Sequence, residues 1–67
     1  MSPQRLSRTI RELRAERQLT QEQLAKRAKV TRAYLAKLET AGRVNPSLEV
    51  LKRLARALGV PVSALLE

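Results

Sequence analysis

Two helix-start signals stand eleven positions apart near the middle of this 67-residue chain, at Thr20 and Thr31. That spacing leaves room for one short helix, a tight turn and nothing more. Thr20 is followed three residues on by Gln23, which completes a capping box: the Thr hydroxyl accepts from the third helical amide, and the Gln side chain returns to the Thr amide. The helix so opened buries Leu24, Ala25 and Ala28. Ala28-Lys29-Val30 is too short for a free loop and too poor in helix signals to continue straight. Thr31 caps a second helix, expected from Arg32 to about Thr40. The stretch from Thr20 to Thr40 is thus two short helices joined by a tight turn, and the rest of the chain is organised around it.

The second of these helices has two unlike faces. At roughly 100° per residue, Leu35 and Leu38 fall together, with Tyr34 and Ala41 on one flank. The opposite face carries Arg32, Ala33, Ala36, Lys37 and Thr40, short-chained at its centre and basic at its edges. A helix entering the DNA major groove needs small residues where it runs nearest the bases, and Arg or Lys where it meets guanine edges or phosphates. The competing reading is a solvated face, with alanines for helix propensity and Lys for solubility.

Composition decides what else the chain can be. A single domain of this size buries only about 60% of its unfolded surface. There is no Cys to supply a disulfide and no His, so zinc sites and His-based catalysis are excluded. With no Phe or Trp, and Tyr34 as the only aromatic, the core must be Leu, Val, Ala and Ile. Fourteen Lys and Arg stand against six Asp and Glu, a formal charge of +8, and the isoelectric point is near 11.4. Such an excess repels itself and implies a polyanionic partner, most often nucleic acid. A membrane surface is the main competitor. No apolar run approaches a membrane span, and no apolar segment follows the N-terminus as in a signal peptide. The expectation is a cytoplasmic protein, at the nucleoid.

Taken in order, the chain reads as helices throughout. Ser2 is a candidate cap, with Pro3 at the first helical position. Leu6, Ile10 and Leu13 recur at one helical stripe. Arg5, Arg8, Arg11, Arg14 and Arg17 recur at every third position, a spacing that drifts about 60° per step, so they cannot form one line. Arg8 and Arg11 fall opposite the stripe, with Glu12 placed to support Arg8, and Arg14 lies at its edge. A solvated face accounts for most of them. Gln18-Leu19 ends the helix without Gly or Pro, and Leu19 plugs the core between the first and second helices. After the central stretch, Gly42 is fitted to stop a helix, and Asn45-Pro46 forces an extended or turned backbone. Ser47 caps a fourth helix with Glu49 in its first turn. Leu48, Leu51, Leu54, Ala55 and Leu58 make its buried stripe, with Lys52, Arg53 and Arg56 outward and Gly59 at its end. Val60-Pro61 turns the chain, and Val62 to Leu66 form a last short helix. No strand alternation, repeat or linker interrupts this. The expectation is an all-α domain of five short helices spanning residues 1–67.

Several segments in this order resemble one family. They are Thr20-Gln21-Glu22-Gln23-Leu24-Ala25, Val30-Thr31-Arg32-Ala33-Tyr34-Leu35, Leu38-Glu39, Asn45-Pro46-Ser47-Leu48-Glu49-Val50-Leu51, Leu54-Ala55-Arg56-Ala57-Leu58-Gly59-Val60 and Leu65-Leu66. Together they resemble the Cro and phage-repressor type of helix-turn-helix, and in particular its small stand-alone bacterial regulators. The resemblance implies a compact five-helix, lambda-repressor-like DNA-binding domain. Arg32, Ala33 and Lys37 match the positions that read base edges: Arg32 or Lys37 against guanine, Ala33 against a thymine methyl. Gln21, Thr31, Tyr34, Thr40 and Arg43 match positions near the DNA backbone, although Tyr34 equally suits half-packing against the core. Contacts to the backbone position the protein without carrying sequence information. Arg14 and Glu39 match a partly buried salt bridge between the first and third helices. The chain departs from the family at Lys29, where Gly is usual in the turn; a left-handed backbone there costs a non-Gly residue about 1 kcal/mol. It departs again at Pro61, where the last helix commonly has a Ser or Asp cap.

The function implied is a sequence-specific regulator of transcription, a repressor reading double-stranded DNA, with a homodimer on a pseudo-palindromic site. Val60, Val62, Leu65 and Leu66 are candidates for the dimer contact, unless they simply close the monomer core. A different class is a protein-interaction module, such as an antitoxin, or a controller protein of a toxin or restriction-modification operon. A third, a membrane-active basic peptide, fits poorly with apolar stripes that are discontinuous and capped. No nucleophile–base pair, metal cluster or phosphate loop points to an enzyme, and no cofactor or small-molecule ligand is indicated.

Overall fold

A computed structural model describes residues 3–40 and 45–66 of the chain. The described residues form helices α1 (Pro3–Glu16), α2 (Gln21–Ala28), α3 (Arg32–Leu38), α4 (Leu48–Leu58) and α5 (Ser63–Leu66), with no strand among them. Of the sequence expectations, Ser2, Ala41, Gly42 and Arg43 lie outside the described residues. Among the described residues, no helix is long and apolar enough to cross a membrane.

The helix starts are made as the sequence predicts. Thr20 and Gln23 bond reciprocally, closing the capping box of α2. The Thr31 hydroxyl accepts from the Tyr34 amide at 3.0 Å. Ser47 does the same for Val50 at 3.2 Å. Each cap satisfies one amide that the helix itself leaves without a partner.

The helix ends follow one device three times over. At the end of α1, the Leu19 amide reaches the Arg14 carbonyl and the Gln18 amide reaches Ala15, both at 3.0 Å. At the end of α2, Val30 reaches Ala25 and Lys29 reaches Lys26; at the end of α4, Val60 reaches Ala55 and Gly59 reaches Arg56. This paired closure is the Schellman motif, which turns the chain sharply by putting one residue in the left-handed conformation. Gly59 does so freely at φ 72°, but Gln18 and Lys29 are forced into it at φ 55° and 59°. Lys29 therefore carries the cost that its departure from the family's Gly predicts, and Gln18 carries an equal one that the sequence does not announce.

The core is aliphatic throughout: Leu6 and Ile10 from α1, Leu19, Leu24, Ala25 and Ala28, Leu35 and Leu38 from α3, Leu51, Leu54, Ala55 and Leu58 from α4, and Leu65. Leu13, Val30, Tyr34, Val50, Val60 and Val62 pack against it, partly buried. α2 packs on α3 and α4, while α5 closes against α1 and α4. The structure corrects the sequence at three places in this packing. Leu48, assigned to the buried stripe of α4, is 54% exposed. It stands in the first turn, roughly 70° around the helix from the stripe's centre. Arg53 is half-buried rather than outward. Arg17 is not merely solvated, because its Nε donates to the Leu58 carbonyl and ties α1 to the end of α4. Element boundaries also shift slightly: α1 ends at Glu16, α3 ends at Leu38 and α5 begins at Ser63. Arg8 and Glu12 are both exposed, while Arg14 pairs with Glu39 and Arg17 with Glu16.

Candidate nucleic-acid interface

α3 is seven residues long and turns Leu35 and Leu38 fully into the core. Burial of those two fixes where the rest must point. Arg32, Ala33, Lys37 and Thr40 are exposed, and Ala36 is half-buried between them. The face therefore has the expected relief, with small side chains along its middle and a cation toward each end.

What holds α3 in place lies behind it. Glu39, just past the last turn, is 3% exposed. Its carboxylate accepts from Arg14 twice, Nε to Oε2 at 2.9 Å and Nη2 to Oε1 at 3.0 Å. Gln21 Nε2 donates a third bond to Oε1 at 3.2 Å. The remaining Arg14 nitrogen, Nη1, donates to the Leu19 carbonyl at 2.9 Å. A buried carboxylate is tolerable only when its oxygens are satisfied this fully, and the planar guanidinium fork suits the task. One acid thus fastens α3 to α1 and to the first residue of α2 together. The expected Arg14–Glu39 pair is present, and it is wider than a pair.

A second fastening was not foreseen. Ser7, 1% exposed on α1, donates its hydroxyl to the Leu38 carbonyl. This occupies one of the carbonyls left open at the end of α3. A signal for it exists in the sequence: Ser7 lies three positions before Ile10 and seven before Arg14, on the inward side of α1. A small hydroxyl there is too common to single out without knowing what faces it.

The expected backbone-contacting residues divide. Gln21 is half-buried and already bonded to Glu39, so its side chain braces α3. Gln21 shares an open groove of about 650 Å³ with Arg14, Leu19, Thr20, Glu22 and Arg32. The Thr31 hydroxyl accepts the α3 cap bond from the Tyr34 amide, which leaves its O–H free to donate to a phosphate. Tyr34 packs partly buried against the core, which is the half-core role, and lines a groove of about 240 Å³ with Val30, Thr31, Val50 and Arg53. Its hydroxyl makes no hydrogen bond among the described residues. The Thr40 hydroxyl donates to the Ala36 carbonyl at 2.7 Å, so it must rotate before it can donate to a phosphate. Arg43 lies outside the described residues.

The sequence profile of the helix-turn-helix family matches residues 10–65. The chain belongs to that family, in its Cro and phage-repressor type. Helix-turn-helix relatives share much of its sequence. The immunity repressor protein of Bacillus phage phi105 is 52% identical over 56 residues, which is 84% of this chain and 38% of the relative. The transcriptional regulator DdrOP3 of Deinococcus deserti is 46% identical over 63 residues, 94% of this chain and 48% of the relative. The chain thus spans less than half the length of either. Among solved structures, the restriction-modification controller protein C.AhdI of Aeromonas hydrophila is 33% identical, with a TM-score of 0.89 over 94% of both chains. In this helix-turn-helix, α2 and α3 are the paired helices and Lys29 to Thr31 the turn between them.

Proposed function

We propose that this domain reads double-stranded DNA in the major groove with α3 and regulates transcription, as a repressor. Arg32 pairs with guanine, Ala33 meets a thymine methyl, and Lys37 reaches guanine or phosphate. Gln21 and the amides at the start of α2, together with Thr31, Tyr34, Thr40 and Arg43, follow the backbone. The observation that carries this is the contrast between the two sides of α3. Its outer side offers Arg32, Ala33 and Lys37 to solvent, while its inner side is fixed to α1 and α2 through Glu39. A rigidly held basic ridge is what base reading requires; a solvated face has no need of the bracing.

Two copies on a pseudo-palindrome extend the reading. The domain measures 24 × 23 × 21 Å, so two fit side by side with half-sites about 34 Å apart. One recognition helix covers only a few base pairs, and a second copy multiplies the specificity. A controller protein of a toxin or restriction-modification operon would use the same domain.

The test is duplex binding against salt for the parent, Arg32→Ala and Lys37→Ala. Log affinity should fall steeply and linearly with log salt. Arg32→Ala should lose about 1–3 kcal/mol on preferred sites and little on arbitrary DNA. Equal binding to every duplex by parent and variant alike leaves a generic basic protein and ends the proposal.

A further inference from the structure

A cluster of four cations lies apart from the groove at the start of α2. Arg27 and Lys29, at the end of α2, and Arg53 and Arg56, one turn apart on α4, line a single partly enclosed pocket of about 250 Å³. It shares no lining residue with the groove at the start of α2. No carboxylate among the described residues answers these four cations. Glu49 stands four residues before Arg53, the spacing for a helical ion pair, yet among the described residues no such pair forms and none of the four side chains donates a hydrogen bond. Arg53 is the sharpest case, since its Nε is buried and has no partner among the described residues. A buried donor of that kind is normally bonded. Four like charges also repel one another where the walls keep water partly out.

The geometry points to an oxyanion pocket that takes a phosphoryl group. A guanidinium offers parallel N–H bonds from its Nε–Nη edge to two oxygens of one phosphate. Arg53 lines both this pocket and the neighbouring groove beside Tyr34; turning its buried Nε toward a bound oxyanion gives that donor the acceptor it lacks. Arg27, Lys29 and Arg56 close on the remaining oxygens as donors and countercharge. The pocket is smaller than the roughly 300–1,000 Å³ of sites for drug-sized ligands, which suits phosphate or pyrophosphate rather than a whole nucleotide. The phosphoryl group can belong to a free anion or to the backbone of DNA flanking the recognised site. The assignment stands independently of base reading by α3.

The experiment follows the arginine Nε–Hε signals of the whole chain by NMR while pyrophosphate is added at constant ionic strength. The Arg53 signal should move and saturate, while those of the exposed Arg8 and Arg11 stay in place. Lys29→Gly and Arg56→Gln should each weaken binding about tenfold, as expected for one charge-assisted hydrogen bond, and Arg32→Ala should not. Lys29→Gly is the decisive variant because its left-handed backbone favours glycine, so it removes a cation without endangering the fold. Two duplexes identify the source, one trimmed to the recognised site and one longer by a helical turn at each end. A DNA source shifts the Arg53 signal with the long duplex only, and pyrophosphate reverses the shift; a free anion shifts it equally with either duplex or none. Movement of all exposed arginines together without saturation, or unchanged binding by both pocket variants, overturns the proposal.

Discussion

Glu39 shows how one residue can be legible in kind and illegible in number. Its pairing with Arg14 is implied by family likeness, and both sit at the edges of their helices' buried faces. That Gln21 completes the carboxylate's coordination depends on the angle between α2 and α3, which no local spacing encodes. The energetic consequence is specific. Removing Arg14 strands a carboxylate whose side chain is 2% exposed, which should cost about 3 kcal/mol. Replacing both partners removes the stranded charge as well as the bond. Urea unfolding of Arg14→Met, Glu39→Met and the double variant should therefore show the double losing less than the sum of the singles. Strict additivity would mean that the pair is no more than a surface contact. Leu48 marks the opposite limit at this scale. Leucine spacing placed it in the core, but spacing describes a direction around a helix and says nothing about whether a neighbour extends that far along it.

At the scale of elements, helix starts were readable and helix ends were only partly so. Thr20, Thr31 and Ser47 each announce a start because the cap is made by the residue's own hydroxyl. Gly59 announces an end because the left-handed conformation suits glycine. Gln18 takes the same conformation with no such signal; what puts it there is the burial of Leu19 and the closure of α1 by the Leu19 and Gln18 amides. Tertiary packing overrides local preference at that position. Gln18→Gly should then stabilise the fold by about 1 kcal/mol, less whatever the freer unfolded chain takes back. That corresponds to a rise in melting temperature of up to about 4–8 °C for a domain of this size. Gly59→Ala should do the reverse by a similar amount. A β-carbon at Gly59 meets nothing within 4 Å, so the loss is conformational and owes nothing to crowding. Opposite signs for these two substitutions, in one thermal denaturation series, are the outcome required; destabilisation by both would mean that the Gln18 side chain makes a contact worth more than its strain.

For the whole molecule, the question is how a single small domain becomes specific, and the apolar surface near the end of the chain bears on it. Of the four residues expected at a dimer contact, Leu65 is 1% exposed and Val60 and Val62 pack against the core. They close the monomer, because α5 is a single turn that must be anchored to stay folded. Leu66 is the member left over, 39% exposed. An exposed Leu alone is ordinary, so its role rests on position: it stands on the element that seals the domain, free of that task itself. If Leu66 joins two copies on DNA, Leu66→Asp should leave thermal stability nearly unchanged and leave affinity for an isolated half-site unchanged. It should abolish the cooperative gain on a full palindrome, because aspartates facing each other across a two-fold axis repel and neither can be buried there. Titrating half-site and full-site duplexes with parent and variant separates these quantities directly. Cooperative binding that survives Leu66→Asp would move the contact to another face, with Leu48, 54% exposed at the start of α4, the next residue to change.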